Sequence, residues 1–333
     1  MQNKPSSKAY KEAIEVVNAW RVCHAYPINT FKSTLWRKVK NYDSPIVAQR
    51  LKRLPTIIDK LNRYPHMELA RMNDIGGVRG IVDTVKQVRE LQEQYQDEKR
   101  FSHRLVRKDD YITNPKDDGY RGVHLIYRYH NTRARTPLAK QYEGLLIELQ
   151  LRTKLQHNWA TAVETMGTFR GEALKSRQGS ADWLEFFTVT SAAFAHIEKT
   201  PLAAKYSSLT ATQTFKKMAI IEKKLGVLET IRGYSIAAGA IHRHGFGASY
   251  HLIILNTKDH TVQINSYKTD QLALAGKDYA EAEKKATKDK ALEPVLVSAG
   301  RLKSLKKAYP NYFLDVREFV EKIEVILKEL DKK

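Results

Sequence analysis

The chain has 333 residues, 42% of them hydrophobic, and carries 57 lysines and arginines against 37 acidic residues, a formal charge of +20. Its one cysteine, Cys23, excludes an intrachain disulfide framework and a cysteine-built zinc site. No apolar run nears the ~18 residues that cross a bilayer, and residues 1–10 lack the apolar block of a signal peptide, so a cytoplasmic, non-membrane protein with a phosphate-rich substrate or partner is expected.

Apolar spacing predicts a helix over 8–24 and another over 46–63, the second with Pro55 as a kink, around a basic segment at 31–40. A β-branched stretch at 78–85 leads into a helix near 86–98. Two strand-like runs follow, at 124–130 and 145–152. In the second, Leu145, Ile147, Leu149 and Leu151 alternate with Leu146, Glu148, Gln150 and Arg152, so one face of a sheet is polar. Residues 155–169 read as helix, 170–180 as a mobile connection, and 181–199 and 202–232 as two more helices. Strands near 249–255 and 261–267, a charged helix near 277–291, a strand at 293–298 and a helix at 315–330 complete the chain. The last helix carries an apolar stripe from Val316 to Leu330. The expected fold class is α+β: a mixed-sheet core flanked by helices over 1–170, a helical connection over 171–232, and a small α/β domain over 233–333.

Three segments carry candidate chemistry. In the first, 71–80, Asp74 stands among Arg71, Arg79 and two glycines. Its carboxylate suits Mg²⁺ and the arginines suit phosphate oxygens; taken alone, the segment is better read as a plain turn with Asp74 paired to Arg71 or Arg79. In the second, 110–124, the turn Pro115, Asp117, Asp118 and Gly119 is surrounded by Lys116, Tyr120, Arg121 and His124. A ring among cations suits a stacked base flanked by phosphates, or a simple hairpin. In the third, Glu148 lies mid-strand with Gln150 and Arg152 on its face. It is either solvent-facing or able to share a metal with Asp74 and take a proton from a hydroxyl.

Together these segments resemble the synthetase domain of the RelA/SpoT family, over roughly 25–170. The family's Arg-x-x-Asp-x-x-Gly-x-Arg falls on Arg71, Asp74, Gly77 and Arg79. Its Tyr-Ile-x-x-Pro-Lys-x-x-Gly-Tyr-x-x-x-His loop falls on Tyr111, Ile112, Pro115, Lys116, Gly119, Tyr120 and His124. Its Glu-x-Gln-x-Arg-Thr strand falls on Glu148, Gln150, Arg152 and Thr153, followed by His157, Trp159 and Ala160. The resemblance implies pyrophosphate transfer from ATP, with Asp74 and Glu148 binding Mg²⁺ and Glu148 activating the acceptor hydroxyl. It also implies phosphate contacts from Lys32, Arg71, Arg79 and Lys116, and an acceptor site of Tyr120, Arg121, His124, Gln150 and Arg152. The family often places an arginine two residues before the basic segment's lysine; Thr30 stands there relative to Lys32. About 25 residues precede the resemblance, so a member without a hydrolase domain is expected.

Family members differ in acceptor: some use free guanine or adenine nucleotides, and toxic forms use the 3′-terminal adenosine of tRNA. The charge favours tRNA, with seven basic and two acidic residues over 201–250 and nine and three over 1–50. The C-terminal part resembles the antitoxin region of CapRel-type fusions, which implies that Tyr309 and Tyr312 cover the ATP site until a phage capsid-type protein draws them away. Ordinary structural tyrosines are the other reading.

Overall fold

The computed structural model describes residues 7–52, 54–98, 101–130, 140–170, 180–244, 247–256, 258–259, 261–289, 291–299 and 312–332. They form two compact units, residues 1–114 with 121–154, and residues 115–120 with 155–333. The expected connection at 170–180 falls almost wholly outside the described residues.

The first unit is built on a five-stranded mixed sheet of order β1-β2-β5-β4-β3. Its strands are β1 (Ile46–Leu51), β2 (Gly76–Val82), β3 (Arg104–Asp110), β4 (Val123–Arg128) and β5 (Leu146–Thr153). Only the central β2–β5 pair is parallel. Because side chains alternate, Ile147, Leu149 and Leu151 of β5 point to one face with Val78, Val123 and Leu125. Helix α2 (Ala25–Val39) covers that face with Ile28, Phe31, Leu35 and Val39, and α4 (Val85–Gln96) with Val88, Leu91 and Tyr95. Gly80 permits the close approach of α2: a Cβ there would lie 3.1 Å from Leu35 Cδ2 and 3.2 Å from Leu151 Cδ2. The basic segment 31–40 is therefore helix, its apolar members buried.

Residues 46–63 are not one helix. Ile46–Leu51 is an edge strand paired antiparallel with β2, and the helix α3 is confined to Leu54–Arg63. Pro55 sits in its first turn, where a missing N–H leaves no helical bond unmade, so it starts the helix instead of kinking it. Helix α1 (Lys8–Cys23) adds Val17 and Trp20 to a small cluster with Ile57, Met72 and Ile75. Strand β3 has no counterpart among the expected elements. It is the other edge of the sheet, largely exposed and rich in charge, so no apolar alternation marks it.

The second unit holds α5 (Lys154–Arg170), α6 (Ala181–Glu198), α7 (Ala211–Leu225), α8 (Val227–His244), α9 (Leu272–Lys288) and α10 (Tyr312–Leu330). The helix expected over 202–232 is broken at Gly226 between α7 and α8. An antiparallel sheet of order β7-β6-β8 is formed by β6 (Tyr250–Asn256), β7 (Thr261–Tyr267) and β8 (Leu292–Ser298). With α9 and α10 it gives the expected ββαβα order. The stripe on α10 is core: Val316, Phe319, Val320, Ile323 and Ile326 are buried, and Phe319 meets Phe187 and Phe194 of α6 at ring distances of 6.3 and 5.8 Å. Asn158 of α5 donates to Glu318 at 2.8 Å, and Arg232 of α8 pairs with Glu324. Among the described residues no helix is long and apolar enough to cross a membrane.

Candidate active site

The face of the five-stranded sheet opposite α2 and α4 is polar because of register. Glu148, Gln150 and Arg152 of β5 lie beside Gly77, Arg79 and Ile81 of β2, and Gln150 also lies beside His124 of β4. Glu148 is held at both oxygens. His124 Nδ1 lies 2.9 Å from Oε1, and Gln150 Nε2 donates to Oε2 at 2.8 Å. Gln150 Oε1 in turn accepts from Arg79 Nε at 3.3 Å and Arg152 Nη2 at 3.2 Å. Two guanidinium groups thus fix the amide so that its NH₂ faces the carboxylate.

The electrostatics follow from these contacts. Burial pushes the Glu148 carboxyl up and the nearby charge of Asp74 pushes the same way. The hydrogen bond and charge of His124, with the Gln150 bond, outweigh both and hold it below its ordinary value.

Asp74 lies in the turn before β2 and pairs with neither Arg71 nor Arg79. Lys52 Nζ lies 2.5 Å from Oδ2, and Lys60 Nζ lies 3.0 Å from Oδ1. Burial raises the Asp74 pKa, but the Lys52 charge and bond, then those of Lys60, bring it below the ordinary value. Lys52 is itself buried, and burial lowers its pKa against the pull of Asp74. Arg71 is exposed on a 3₁₀ turn, Leu69–Arg71.

Other expected site residues are placed differently. Lys32 is exposed on α2, the helix that covers the apolar face. Thr30 of the same helix bonds Tyr26 O at 3.2 Å. Arg121 is buried in the first unit. Lys116 and Tyr120 belong to the 115–120 segment of the second unit, with Lys116 Nζ 5.3 Å from the centre of the Tyr120 ring. Tyr309 lies outside the described residues; Tyr312 begins α10, and its side chain is also outside them.

Sequence reasoning missed Lys52 and Lys60, the partners of Asp74; reading 46–63 as one helix hid them.

Among the described residues no cluster of three or more His, Cys, Asp or Glu side chains is arranged to hold a metal. Asp74 and Glu148 are nonetheless fitting donors for Mg²⁺, which is commonly held by one or two carboxylates plus substrate phosphates. The charge of Asp74 disfavours the ionised form of Glu148, an effect that a divalent cation would relieve.

Residues 49–170 match the model of the region found in RelA/SpoT proteins. The chain is 33% identical over 124 residues to the GTP pyrophosphokinase YjbM of Bacillus subtilis, an alignment covering 35% of this chain and about half, 54%, of the relative. Among solved structures it is similar to small alarmone synthetase 1 of Bacillus subtilis, at 21% identity and a TM-score of 0.45, over 55% of this chain and 92% of that one. It is also similar to a GTP pyrophosphokinase family protein of Streptococcus pneumoniae, at 22% identity and a TM-score of 0.43, over 58% and 91%. Lys32 precedes the matched stretch, whereas Arg50, Lys52, Lys60, Asp74, His124 and Glu148 all fall within it. The matched stretch, residues 49–170, carries both Asp74 and Glu148.

Proposed function

We propose that this chain is an ATP pyrophosphokinase that, with Mg²⁺, moves the β,γ-pyrophosphate of ATP onto a ribose 3′-hydroxyl and releases AMP. The observation that carries the proposal is that one unit holds Asp74 between Lys52 and Lys60 and Glu148 between His124 and Gln150. The naming of the Bacillus relative supports the reaction class.

In the reaction the acceptor 3′-oxygen bonds to the β-phosphorus as the bond to the α-phosphate oxygen breaks. AMP leaves, and Glu148 takes the hydroxyl proton. When bound at Asp74 and Glu148, Mg²⁺ would supply charge neutralisation for the transferring group. Lys52 and Lys60, beside Asp74, would meet the ATP phosphates, and by resemblance so would Arg71, Arg79, Lys116 and Lys32. His124, Gln150 and Arg152 set the geometry of Glu148, and by resemblance face the acceptor with Tyr120 and Arg121. Tyr120 is the platform for the acceptor base.

Two acceptor classes have specific support. The +20 charge favours the 3′-terminal adenosine of tRNA, whose capture needs many cations and whose modification halts translation. The relative named a GTP pyrophosphokinase favours a free guanine nucleotide, which makes the protein an alarmone synthetase, with adenine nucleotides as a further acceptor. Incubation with ATP labelled at the β-phosphate and either deacylated tRNA or GDP separates them by where the label goes. Inhibition by the C-terminal part, through Tyr309 and Tyr312 and relieved by a phage capsid-type protein, is the regulatory reading that goes with tRNA. Growth arrest on expressing Tyr309→Ala with Tyr312→Ala, and none with wild type, is its test.

A further inference from the structure

The loop that presents Tyr120 is a tight turn. Gly119 N–H donates to Lys116 O at 2.9 Å, Lys116 N–H to Tyr120 O at 3.3 Å, and Tyr120 N–H to Asp118 Oδ1 at 2.9 Å. Gly119 has φ +89°, a left-handed value that favours glycine. These bonds shape the loop from within.

The anchor comes from α6, outside the matched stretch 49–170. Buried Ser191 donates its Oγ hydrogen to Gly119 O at 2.5 Å. A Cβ at Gly119 would lie 2.8 Å from Ser191 Cβ and 3.1 Å from Trp159 Cζ2. The glycine is therefore pressed between a serine and an indole, and only a residue without a side chain fits. Trp159 is fixed in turn by its Nε1 bond to Phe187 O at 2.8 Å, and Phe187 packs on Phe319 of α10.

From this docking we infer that Ser191 is a positioning residue for the acceptor site, holding the 115–120 loop on α6 so that the Tyr120 ring is presented in one orientation. Its contribution to transfer rests on the reading of Tyr120 as the acceptor-base platform; its hold on the loop does not. A buried hydroxyl–carbonyl bond orders the groups that make it, and its loss leaves Gly119 O without this donor in a site closed to water. The consequence for a stacked substrate is misalignment, which weakens acceptor capture.

The test compares full-length Ser191→Ala and Tyr120→Ala with Thr190→Val, a control that removes the neighbouring buried hydroxyl, bonded to Phe186 O in its own helix. Hydrogen exchange over 115–121 is expected to quicken in Ser191→Ala and not in Thr190→Val. In transfer assays with GDP and with deacylated tRNA, Ser191→Ala is expected to raise the acceptor KM about three- to tenfold. Unchanged exchange in Ser191→Ala overturns the hold on the loop. An unchanged acceptor KM in Ser191→Ala, alongside a raised one in Tyr120→Ala, overturns the role in acceptor capture alone. An unchanged acceptor KM in Tyr120→Ala overturns the platform reading, and the catalytic half of this inference with it.

Discussion

His124 Nδ1 on β4 stands 2.9 Å from Glu148 Oε1 on β5, and the imidazole is the largest of the influences that keep this buried carboxylate ionised. Without it, burial and the repulsion of Asp74 are opposed chiefly by the Gln150 bond. The acid limb of the activity profile should therefore sit below the ordinary carboxylate range in the wild type and move to higher pH in His124→Ala. His124→Asn, whose amide can replace the Nδ1–H donor, should fall between them. Identical acid limbs in all three, measured as kcat/KM against pH, would show that Glu148 does not titrate in the reaction.

Glu148→Gln keeps the size of the side chain and removes the carboxylate proposed as the base. A drop in kcat of roughly 10²- to 10⁴-fold is expected, with a melting temperature close to wild type. Retained transfer would remove Glu148 from its role.

Lys52, nearly buried, and Asp74 form the tighter of the two ammonium–carboxylate contacts. Lys52→Met should cost about 2–4 kcal/mol in chemical denaturation, since it strands a largely buried carboxylate. Lys60→Ala, at a more exposed position, should cost about 1 kcal/mol or less. Because both lysines act on Asp74, either change made in an Asp74→Asn background should cost less. The sign with pH follows from the lowered Asp74 pKa: its stabilisation is full above the ordinary carboxylate value and is lost as pH falls through the depressed one. Additive costs in the double variants would contradict the pairing.

Much of this site was legible before any coordinates. Alternation in 145–152 predicted a polar sheet face, and the structure puts Glu148, Gln150 and Arg152 on it. The cations on Asp74 were not legible, because the six residues of β1 carry apolar positions compatible with either period and run into a true helix at Leu54. Strand β3 was missed for a different reason: an edge strand needs charge more than alternation. The role of α10 was also hidden. Its stripe predicts an amphipathic helix, but only the contacts of Phe319 with α6 show that it completes the core of the second unit.

That embedding changes how inhibition by the C-terminal part should be probed. Removing residues 312–333 uncovers Phe187 and Phe194 and should yield aggregated protein, not an active truncation. Phe319→Ala alone should cost about 3–5 kcal/mol. A soluble, cooperatively folded truncation, judged by gel filtration and thermal melting, would contradict this packing.

Glycines on β2 divide by face. Gly80→Ala should lower stability by about 1–3 kcal/mol by forcing α2 off the sheet. At Gly77 a Cβ meets nothing closer than Glu148 O at 3.5 Å, so Gly77→Ala should fold normally. Equal melting temperatures for the two variants would refute the assignment of faces.

The most direct measurement follows the fate of ATP labelled at its β-phosphate, with Mg²⁺ and each acceptor, using wild-type protein and Glu148→Gln. Label should appear on the acceptor's 3′-oxygen in step with AMP formation, and vanish from it in the variant. AMP without labelled acceptor, or equal transfer by Glu148→Gln, would contradict pyrophosphate transfer at the Asp74–Glu148 pair.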